Sequence, residues 1–157
     1  MIKSYLDSDI VAIADALGDV ADAFAGKRLL LGGGRGFLGR YFLAVFDYLN
    51  RERFADPCQL VVLDNMATAG KGGAAVPDMA NVEFRQQDVG DPLVVDGPLD
   101  FVVNAAGIAS PYYYRRFPLP TLDAAIKGTR TLLDMAVEKH ARFTFFSSSE
   151  VYGDPDP

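Results

Sequence analysis

Three glycines spaced three residues apart, Gly33, Gly36 and Gly39, have the spacing in this chain that most directly indicates chemistry. In such an arrangement the first glycine allows a tight turn, the second lets a pyrophosphate approach the backbone, and the third lets a helix pack closely against a strand. The unpaired N–H groups at the start of that helix, together with its dipole, would then attract phosphate. Glycines with this spacing also occur in ordinary turns, so the flanking segments decide between the two interpretations.

The segments on either side of the glycines have the patterns that a phosphate-binding turn requires. An apolar run over 29–31 precedes them, and a stretch over 42–49 with apolar residues at helical spacing follows. The order is therefore strand, glycine-rich turn, helix, and Arg35, Phe37 and Leu38, between the glycines, are predicted to contact the cofactor as well. Because no Gly-Lys-Ser/Thr follows the turn, the sequence disfavours a P-loop.

Short apolar runs and helical patterns alternate along the rest of the chain. They predict strands over 27–31, 60–63, 82–87, 101–103 and 142–146, and helices over 36–50 and 118–139. Apolar strands that alternate with helices indicate a parallel sheet covered on both faces. The predicted fold class is α/β, a doubly wound parallel (Rossmann) sheet that stops after its fifth strand and carries an N-terminal helical extension.

Polar residues follow the predicted strands at the point where each one ends. In doubly wound sheets ligands bind beyond the carboxyl ends of the strands, so these residues should converge on one crevice. They are Asp64, Asp88, Asn104 and the run Ser147 to Ser149.

Asp64 is the residue expected to select the cofactor. A carboxylate at the end of the second strand can accept hydrogen bonds from both hydroxyls of the adenosine ribose, and it would repel a 2′-phosphate. It therefore favours NAD over NADP. Arg35 favours the opposite choice, because a guanidinium beside the phosphate turn could bind a 2′-phosphate.

The remaining strand ends allow more than one interpretation. Asp88, beside Val89, could accept a hydrogen bond from the adenine amine or could stabilise a turn. Ala105 and Ala106 are small enough for a cofactor to pass close to the backbone. Ser147 to Glu150 would place hydroxyls and a carboxylate where a nicotinamide and a substrate meet, although serine runs are also common in loops.

The aromatic and basic run from Tyr112 to Arg116 is equally open to interpretation. It could be an aromatic loop packed on the domain with solvated Arg heads. It could instead contact a phosphorylated substrate or a second subunit.

Composition excludes several classes of function. The chain has 157 residues, half of them apolar, and a net charge of −6, which argues against a nucleic-acid surface. No apolar run has the length of a membrane span and no secretory signal is visible, so a cytoplasmic protein is expected. Cys58 is interpreted as a small buried hydrophobe, and its distance from His140 argues against a metal site.

An N-terminal extension, residues 1–26, precedes the predicted NAD-binding domain over 27–157. Residues 3–25 are predicted to form one helix with its apolar face buried, because apolar residues recur there at helical spacing. They include Ile10, Ile13, Leu17, Val20 and Phe24. The helix could pack on its own domain or serve as a contact with a partner.

In combination these motifs resemble the extended short-chain dehydrogenase/reductase family of nucleotide-sugar enzymes, the NAD-dependent epimerases and dehydratases. Within that family the chain is most similar to the UDP-glucuronate decarboxylases, through Ala109-Ser110-Pro111 with its Tyr-rich continuation and through the run from Ser148 to Pro155. The motifs that carry the family resemblance occur in its order: Gly33 to Gly39, Asp64-Asn65, Asp88, Ala105-Ala106, Gly128-Thr129 and Ser148 to Gly153.

The resemblance implies a transient oxidation of a UDP-linked sugar at C4 with NAD as cofactor, by an enzyme that is a homodimer when complete. It implies that Ser148 hydrogen-bonds the sugar 4-hydroxyl and that Glu150 is an acid/base or positioning carboxylate. Dehydratases of the family carry an acid where this chain has Ser149, which favours a decarboxylase or epimerase over a 4,6-dehydratase.

Three departures from the family pattern qualify that expectation. Gly32 stands where the family usually has Thr, and Ala125 stands where many members have Asn. No Tyr in these 157 residues has a Lys four positions later, so the family's catalytic Tyr-x-x-x-Lys pair is missing. We therefore expect the chain to be the cofactor-binding part of an enzyme, the alternative being a non-catalytic dinucleotide-binding module.

Overall fold

A computed structural model describes residues 7–67 and 79–153, with only the backbone of Ser149 and Glu150. Within these residues no helix is both long and apolar enough to cross a membrane. The strands are β1 (Arg28–Gly32), β2 (Gln59–Leu63), β3 (Val82–Arg85), β4 (Phe101–Asn104) and β5 (Arg142–Phe145). The α-helices are α1 (Asp7–Leu17), α2 (Phe37–Glu52), α3 (Pro111–Arg116), α4 (Pro118–Asp123) and α5 (Thr129–Glu138).

The five strands form one parallel sheet in the order β3-β2-β1-β4-β5. This is the order of a doubly wound Rossmann sheet, and it confirms the predicted fold class. Each strand lies within two residues of its predicted bounds. β1 and β2 are almost entirely buried because helices cover both of their faces, which is why their sequences are continuous apolar runs.

Successive side chains of β1 point to opposite faces of the sheet and belong to two separate hydrophobic cores. Leu29 and Leu31 of β1 pack with α1 and α2 on one face. Leu30 packs on the other face with Leu132 and Met135 of α5. The period of two in the strands thus divides one apolar run between two layers of helices.

The N-terminal extension is helical, but it is not the single helix predicted. α1 ends at Leu17, and a 3₁₀ helix follows over Gly18–Phe24. Gly18 has φ +50°, a left-handed conformation that ends an α-helix. Ile10 is buried, whereas Ile13 is exposed and Val20 is 66% exposed, so only part of the predicted apolar face is covered. The predicted residues 3–6 lie outside the described part of the chain.

The helix predicted over 118–139 is interrupted, and an additional helix precedes it. α3 contains the Tyr112 to Arg116 run, and a π-helical turn over Ala124–Gly128 joins α4 to α5. The core face of this region is formed by Gly128, Leu132, Met135 and Ala136. Four apolar residues whose spacing predicts this helix are exposed instead, as is Leu119. The four are Leu122, Ile126, Leu133 and Val137.

Candidate functional site

The glycine turn between β1 and α2 is held by contacts that tolerate no side chain at two of its positions. Gly33 has φ +81° and donates its N–H to the carbonyl of Leu63 at 2.8 Å. A Cβ at Gly33 would lie 2.6 Å from the carbonyl oxygen of Ala105, and one at Gly39 would lie 2.2 Å from the carbonyl oxygen of Gly33. Both distances are far below van der Waals contact, so β1, the turn and α2 approach one another only because these residues are glycine.

Gly36 differs because its outer side is open. It is the N-cap of α2 and provides no side-chain cap for the helix. A Cβ there would meet only the carbonyl oxygen of Gly33, at 3.2 Å. The first N–H groups of an α-helix have no partner within the helix, so this opening presents donors and the positive end of a dipole to a ligand.

Asp64 is fixed in place by the backbone around the turn. Its Oδ2 accepts the N–H of Arg35 at 2.7 Å, and its Oδ1 accepts the N–H of Met66 at 2.8 Å. Each carboxylate oxygen can accept a second hydrogen bond, so the group remains able to bind ribose hydroxyls. The strand end thus supplies an oriented negative charge beside the phosphate turn.

Arg35 does not have the exposed guanidinium that binding a 2′-phosphate would require. Its side chain is only 7% exposed. Burial lowers the pKa of Arg35, as does the neighbouring charge of Arg40, and Asp64 opposes this shift. Its backbone contributes more directly to the site, because the Arg35 N–H orients Asp64.

Asn65 and Asp88 link the ends of β2 and β3. The amide of Asn65 donates to Oδ2 of Asp88 at 2.6 Å, and the N–H of Gly90 donates to Oδ1 of Asp88 at 2.8 Å. Both oxygens of Asp88 therefore hold protein donors, which is the turn-stabilising role allowed by the sequence. Val89, next to it, is buried and contributes an apolar wall.

The end of β4 forms the opposite wall. The backbone N–H of Ala105 donates to the carbonyl of Gly32 at 3.0 Å, which keeps Ala105 close to the glycine turn. Asn104 was expected in the crevice, but it is 1% exposed and lies beneath it. Its amide donates to Thr129 Oγ1 at 3.0 Å, and its oxygen accepts the N–H of Ala106 at 3.1 Å. The prediction for Asn104 is therefore wrong, because α5 covers this strand end.

These walls line a groove that is partly open to solvent. Seven of the predicted cofactor residues line it, together with Ala67, Gly107, Ile108 and Ala124. The seven are Gly33, Gly36, Asp64, Asn65, Val89, Ala105 and Ala106.

Five other predicted cofactor residues do not line the groove. Arg35, Phe37, Leu38 and Gly39 belong to the turn and the start of α2, and Asp88 is bonded to Asn65. Sequence reasoning missed Ala67, Ile108 and Ala124 as lining residues. Small residues near a strand end were the signal available for Ala67, whereas Ala124 comes to the groove through the π-helical turn, which has no sequence signature.

Three predicted site residues lie past the end of β5: Ser147, predicted to contact the cofactor, and Ser148 and Glu150, predicted to be catalytic. Ser147 and Ser148 are exposed, and Ser149–Tyr152 forms a 3₁₀ turn in which the N–H of Val151 donates to the carbonyl of Ser148 at 3.2 Å. The Glu150 side chain, and residues 154–155 of the motif, lie outside what the structure describes.

The Tyr112 to Arg116 run lies in the short helix α3 beyond β4, and none of its residues is buried. Tyr112 and Tyr114 are exposed. The guanidinium of Arg116 lies over the Phe117 ring, 5.7 Å from its centroid. The run is thus part of an exposed helix and not an aromatic loop packed on the domain.

The sheet order, the glycine turn and the carboxylate at the end of β2 define a Rossmann domain with a dinucleotide-type groove. The chain belongs to the NAD dependent epimerase/dehydratase family, whose model matches residues 29–157. NAD is accordingly its cofactor, and the open turn at Gly36 with the oriented carboxylate of Asp64 fits that dinucleotide.

Relatives and solved structures agree with this assignment. The chain is 34% identical over 131 residues to UDP-glucuronic acid decarboxylase 1 of Danio rerio, and 33% identical over 131 residues to UDP-glucuronic acid decarboxylase 2 of Arabidopsis thaliana. These matches cover 83% of this chain but only 29% and 27% of the two relatives, so the chain spans less than a third of their length.

Among solved structures, DesIV, a dTDP-glucose 4,6-dehydratase from Streptomyces venezuelae with NAD and TYD bound, aligns with a TM-score of 0.68. Its identity to this chain is 28%, and the alignment covers 83% of this chain and 42% of DesIV. A UDP-N-acetylglucosamine 4-epimerase from Methanobrevibacter ruminantium M1 aligns with a TM-score of 0.65 at 23% identity, covering 83% of this chain and 41% of that one, and shows the shared fold alone.

Proposed function

We propose that this chain forms the NAD-binding part of an enzyme that oxidises a nucleotide-linked sugar transiently at C4, and that the enzyme is a UDP-glucuronate decarboxylase. The observation that carries the proposal is the groove, in which the turn at Gly33 and Gly36 faces the fixed carboxylate of Asp64. The choice of decarboxylation rests on similarity to two UDP-glucuronic acid decarboxylases and on the Ser148 to Gly153 motif.

In this proposal different residues of the groove bind different parts of the cofactor. The N–H groups at the start of α2 bind the pyrophosphate, and Asp64 accepts hydrogen bonds from the ribose hydroxyls. Asn65 and Val89 flank the adenine, and Ala105 and Ala106 leave room for the backbone to approach the second ribose. Bound NAD supplies a reversible hydride acceptor, so the sugar is oxidised and reduced without net consumption of the cofactor.

Beyond β5, we assign Ser148 to hydrogen-bonding the sugar 4-hydroxyl and Glu150 to an acid/base or positioning role. Ser147, at the start of this segment, is assigned to the cofactor side. The 3₁₀ turn after Ser148 keeps the three residues on one short segment at the carboxyl edge of the sheet. A ketone at C4 would make loss of the C5 carboxylate easier, and these groups would hold the 4-oxygen while that happens.

Two other activities have support from particular observations. An epimerase or dehydratase shares the fold, as the DesIV alignment illustrates, but Ser149 replaces the acid that a dehydratase of the family carries. A binding module without catalysis is favoured by the lack of a Tyr-x-x-x-Lys pair in these 157 residues. The test described next separates decarboxylation, epimerisation and NAD binding without catalysis.

We further propose that residues 1–26 form an extension to the NAD-binding domain over 27–157, and that the whole protein is a cytoplasmic homodimer. The exposed apolar face of α4 and α5 supports the dimer, because a face of this kind is usually covered by another apolar surface. It consists of Leu119, Leu122, Ile126, Leu133 and Val137.

The test measures NAD binding and product formation separately. We expect calorimetry to show that the 157-residue chain binds NAD. We do not expect this chain to convert UDP-glucuronate, because a missing general base alone costs about 10²- to 10⁴-fold in rate. The product of the whole gene should form UDP-xylose and carbon dioxide, and Ser148→Ala should impair it strongly while NAD binding persists. Formation of UDP-galacturonate would indicate an epimerase, and NAD binding without any product from the whole gene's protein would favour the binding module.

A further inference from the structure

The first turn of α2 presents the N–H groups of the proposed cofactor site, and it is packed on its inner side only. Gly39 is buried against the glycine turn, where a Cβ would lie 2.2 Å from the carbonyl oxygen of Gly33. Phe37 and Leu38, in contrast, are 72% and 43% exposed, so burial does little to fix the outer side of the turn. Contacts from residues beyond the turn therefore add to the restraint of this outer side.

One restraint comes from α2 itself. The Nε of Arg40 donates to the carbonyl of Arg35 at 2.9 Å, which ties the second turn of the helix back to the glycine segment. A second restraint comes from Tyr41, four residues after Phe37 and on the same side of the helix. Their ring centroids are 5.5 Å apart with an angle of 75° between the rings, an edge-to-face contact.

Tyr41 is in turn held by the N-terminal extension. Its hydroxyl donates to Oδ2 of Asp9 in α1 at 3.0 Å. A charged acceptor strengthens such a bond. Ile10 and Ala14 of α1 are buried in the core shared with α2, so Asp9 projects from an anchored helix. The contacts run without a break from α1 through Tyr41 and Phe37 to the phosphate-binding turn.

We propose that α1 is a positioning element of the dinucleotide site and acts through the hydrogen bond between Asp9 and Tyr41. The inference rests on the cofactor site proposed above and adds to it a part of the chain that lies before the family match at residues 29–157. The bond tightens NAD binding to the extent that it favours the binding arrangement of the first turn over looser arrangements. Hydrogen bonding to Asp9 also raises the pKa of Tyr41, which favours the protonated hydroxyl that donates this bond.

The test uses the 157-residue chain and measures the Kd for NAD by calorimetry and the melting temperature of each variant. Tyr41→Phe keeps the ring contact and removes only the hydroxyl, whereas Asp9→Ala removes the acceptor. Each should raise the Kd about three- to tenfold. This is less than the full effect of a hydrogen bond to a charged group, because only the part of its energy that favours the binding arrangement of the turn changes the affinity. The double variant should bind no more weakly than either single one, because both changes break the same bond. Asp9→Asn, which keeps an acceptor oxygen, should lie between Asp9→Ala and the unmodified chain.

Matched controls distinguish positioning from general loosening. Tyr48→Phe removes a hydroxyl from the same helix two turns later, and Asp15→Asn removes a charge from the exposed side of α1. Neither should change the Kd. Hydrogen exchange of the amides of residues 37–39 should quicken in Tyr41→Phe and not in Tyr48→Phe.

Two results would overturn the inference while leaving the cofactor site intact. One is an unchanged Kd in Tyr41→Phe, with or without a lower melting temperature, when Asp64→Ala weakens NAD binding. The other is full additivity of Tyr41→Phe and Asp9→Ala. If Asp64→Ala leaves NAD binding unchanged, the proposed site itself is wrong, and the positioning role fails with it.

Discussion

Asp64 and Asn104 are the polar residues at the ends of the two strands that flank β1, and the fold uses them in opposite ways. Asp64, past the end of β2, lines the groove and is oriented by two backbone N–H groups. Asn104, at the end of β4, is buried and ties the strand to Thr129 of α5 and to Ala106. The strand end alone does not make a ligand site, because what packs over it decides whether the polar group meets solvent or protein.

The carboxyl edge of the sheet also differs between its β1–β2 side and its β4–β5 side. On the β1–β2 side, the turn and Asp64 are held by hydrogen bonds that involve backbone groups, so the geometry is set before a ligand binds. On the β4–β5 side, Ser147, Ser148 and Tyr112 are exposed at the surface. The chain thus builds the cofactor side of the proposed site more completely than the substrate side.

The largest effect is expected from Gly39→Ala, which would disrupt the glycine turn on the β1–β2 side. The new Cβ would lie 2.2 Å from the carbonyl oxygen of Gly33 and 2.5 Å from Cα of Gly34, and backbone atoms cannot move aside cheaply. Overpacking of this kind costs about 1–3 kcal/mol or more. We expect a lower melting temperature and at least about a tenfold loss of NAD affinity, a factor equivalent to 1.4 kcal/mol.

Gly107→Ala is the matched control for stability, because a Cβ there would meet no atom within 4 Å. It should leave the melting temperature unchanged. If Gly39→Ala melts and binds NAD like the unmodified chain, then the turn is not held as tightly as the contrast between the two sides requires.

Asp64→Ala should produce the next largest effect, on binding rather than on folding. Removing a charged acceptor of ribose hydroxyls should weaken NAD binding by about 1–3 kcal/mol and reduce the preference for NAD over NADP. Calorimetry with both dinucleotides measures this. Asp47→Ala, which removes a surface carboxylate paired with Arg51, is the control and should change neither affinity. Tighter binding of NADP than NAD by the unmodified chain would contradict the assignment and direct attention to Arg35.

Asn104→Ala should affect folding more than NAD binding, which is the reverse of the effect expected for Asp64→Ala. The substitution leaves the partly buried Thr129 hydroxyl and Ala106 N–H without this partner, at a cost of up to about 1–3 kcal/mol in the free energy of unfolding. Its effect on NAD affinity should be smaller than that of Asp64→Ala. Denaturant unfolding and calorimetry on the two variants test the contrast directly, and equal effects on binding would remove it.

Much of the fold could be predicted from the sequence because the strands are short apolar runs that end at polar residues. The same local pattern identified Gly33, Gly36 and Asp64, and all three line the groove. It could not distinguish Asp64 from Asn104, since both are polar residues at strand ends. The strand register separates them, because Asn104 is level with Leu63 and lies one residue before the position of Asp64, where α5 covers it.

The helices were predicted less well, because the sequence pattern does not show which surface covers an apolar face. The extension shows apolar residues at helical spacing through Phe24, but Gly18 adopts a positive φ and the helix ends. Leu122 and Ile126 are as apolar as core residues, yet they face outward while Gly128 packs against Val89. Spacing reveals that a face is apolar but not which surface will cover it, and a π-helical turn changes which face is inward.

The smallest effect is expected at Cys58, at the other end of β2 from the groove. Its thiol is buried, and its backbone exchanges hydrogen bonds with the Asn50 amide at 2.8 and 2.9 Å. Burial, with a lesser contribution from Asp100, raises the pKa of Cys58 from 9.0 to about 12. The folded thiol therefore stays protonated between pH 9 and 12, whereas the unfolded one ionises, so this group favours unfolding progressively as the pH rises above 9. The loss is at most about 1.4 kcal/mol for each pH unit in that window. Denaturant unfolding of the unmodified chain and Cys58→Ala between pH 8 and 10.5 should show a steeper decline for the unmodified chain, with NAD affinity at neutral pH equal in both. Parallel declines would show that the thiol ionises as easily folded as unfolded, which contradicts its burial at the start of β2.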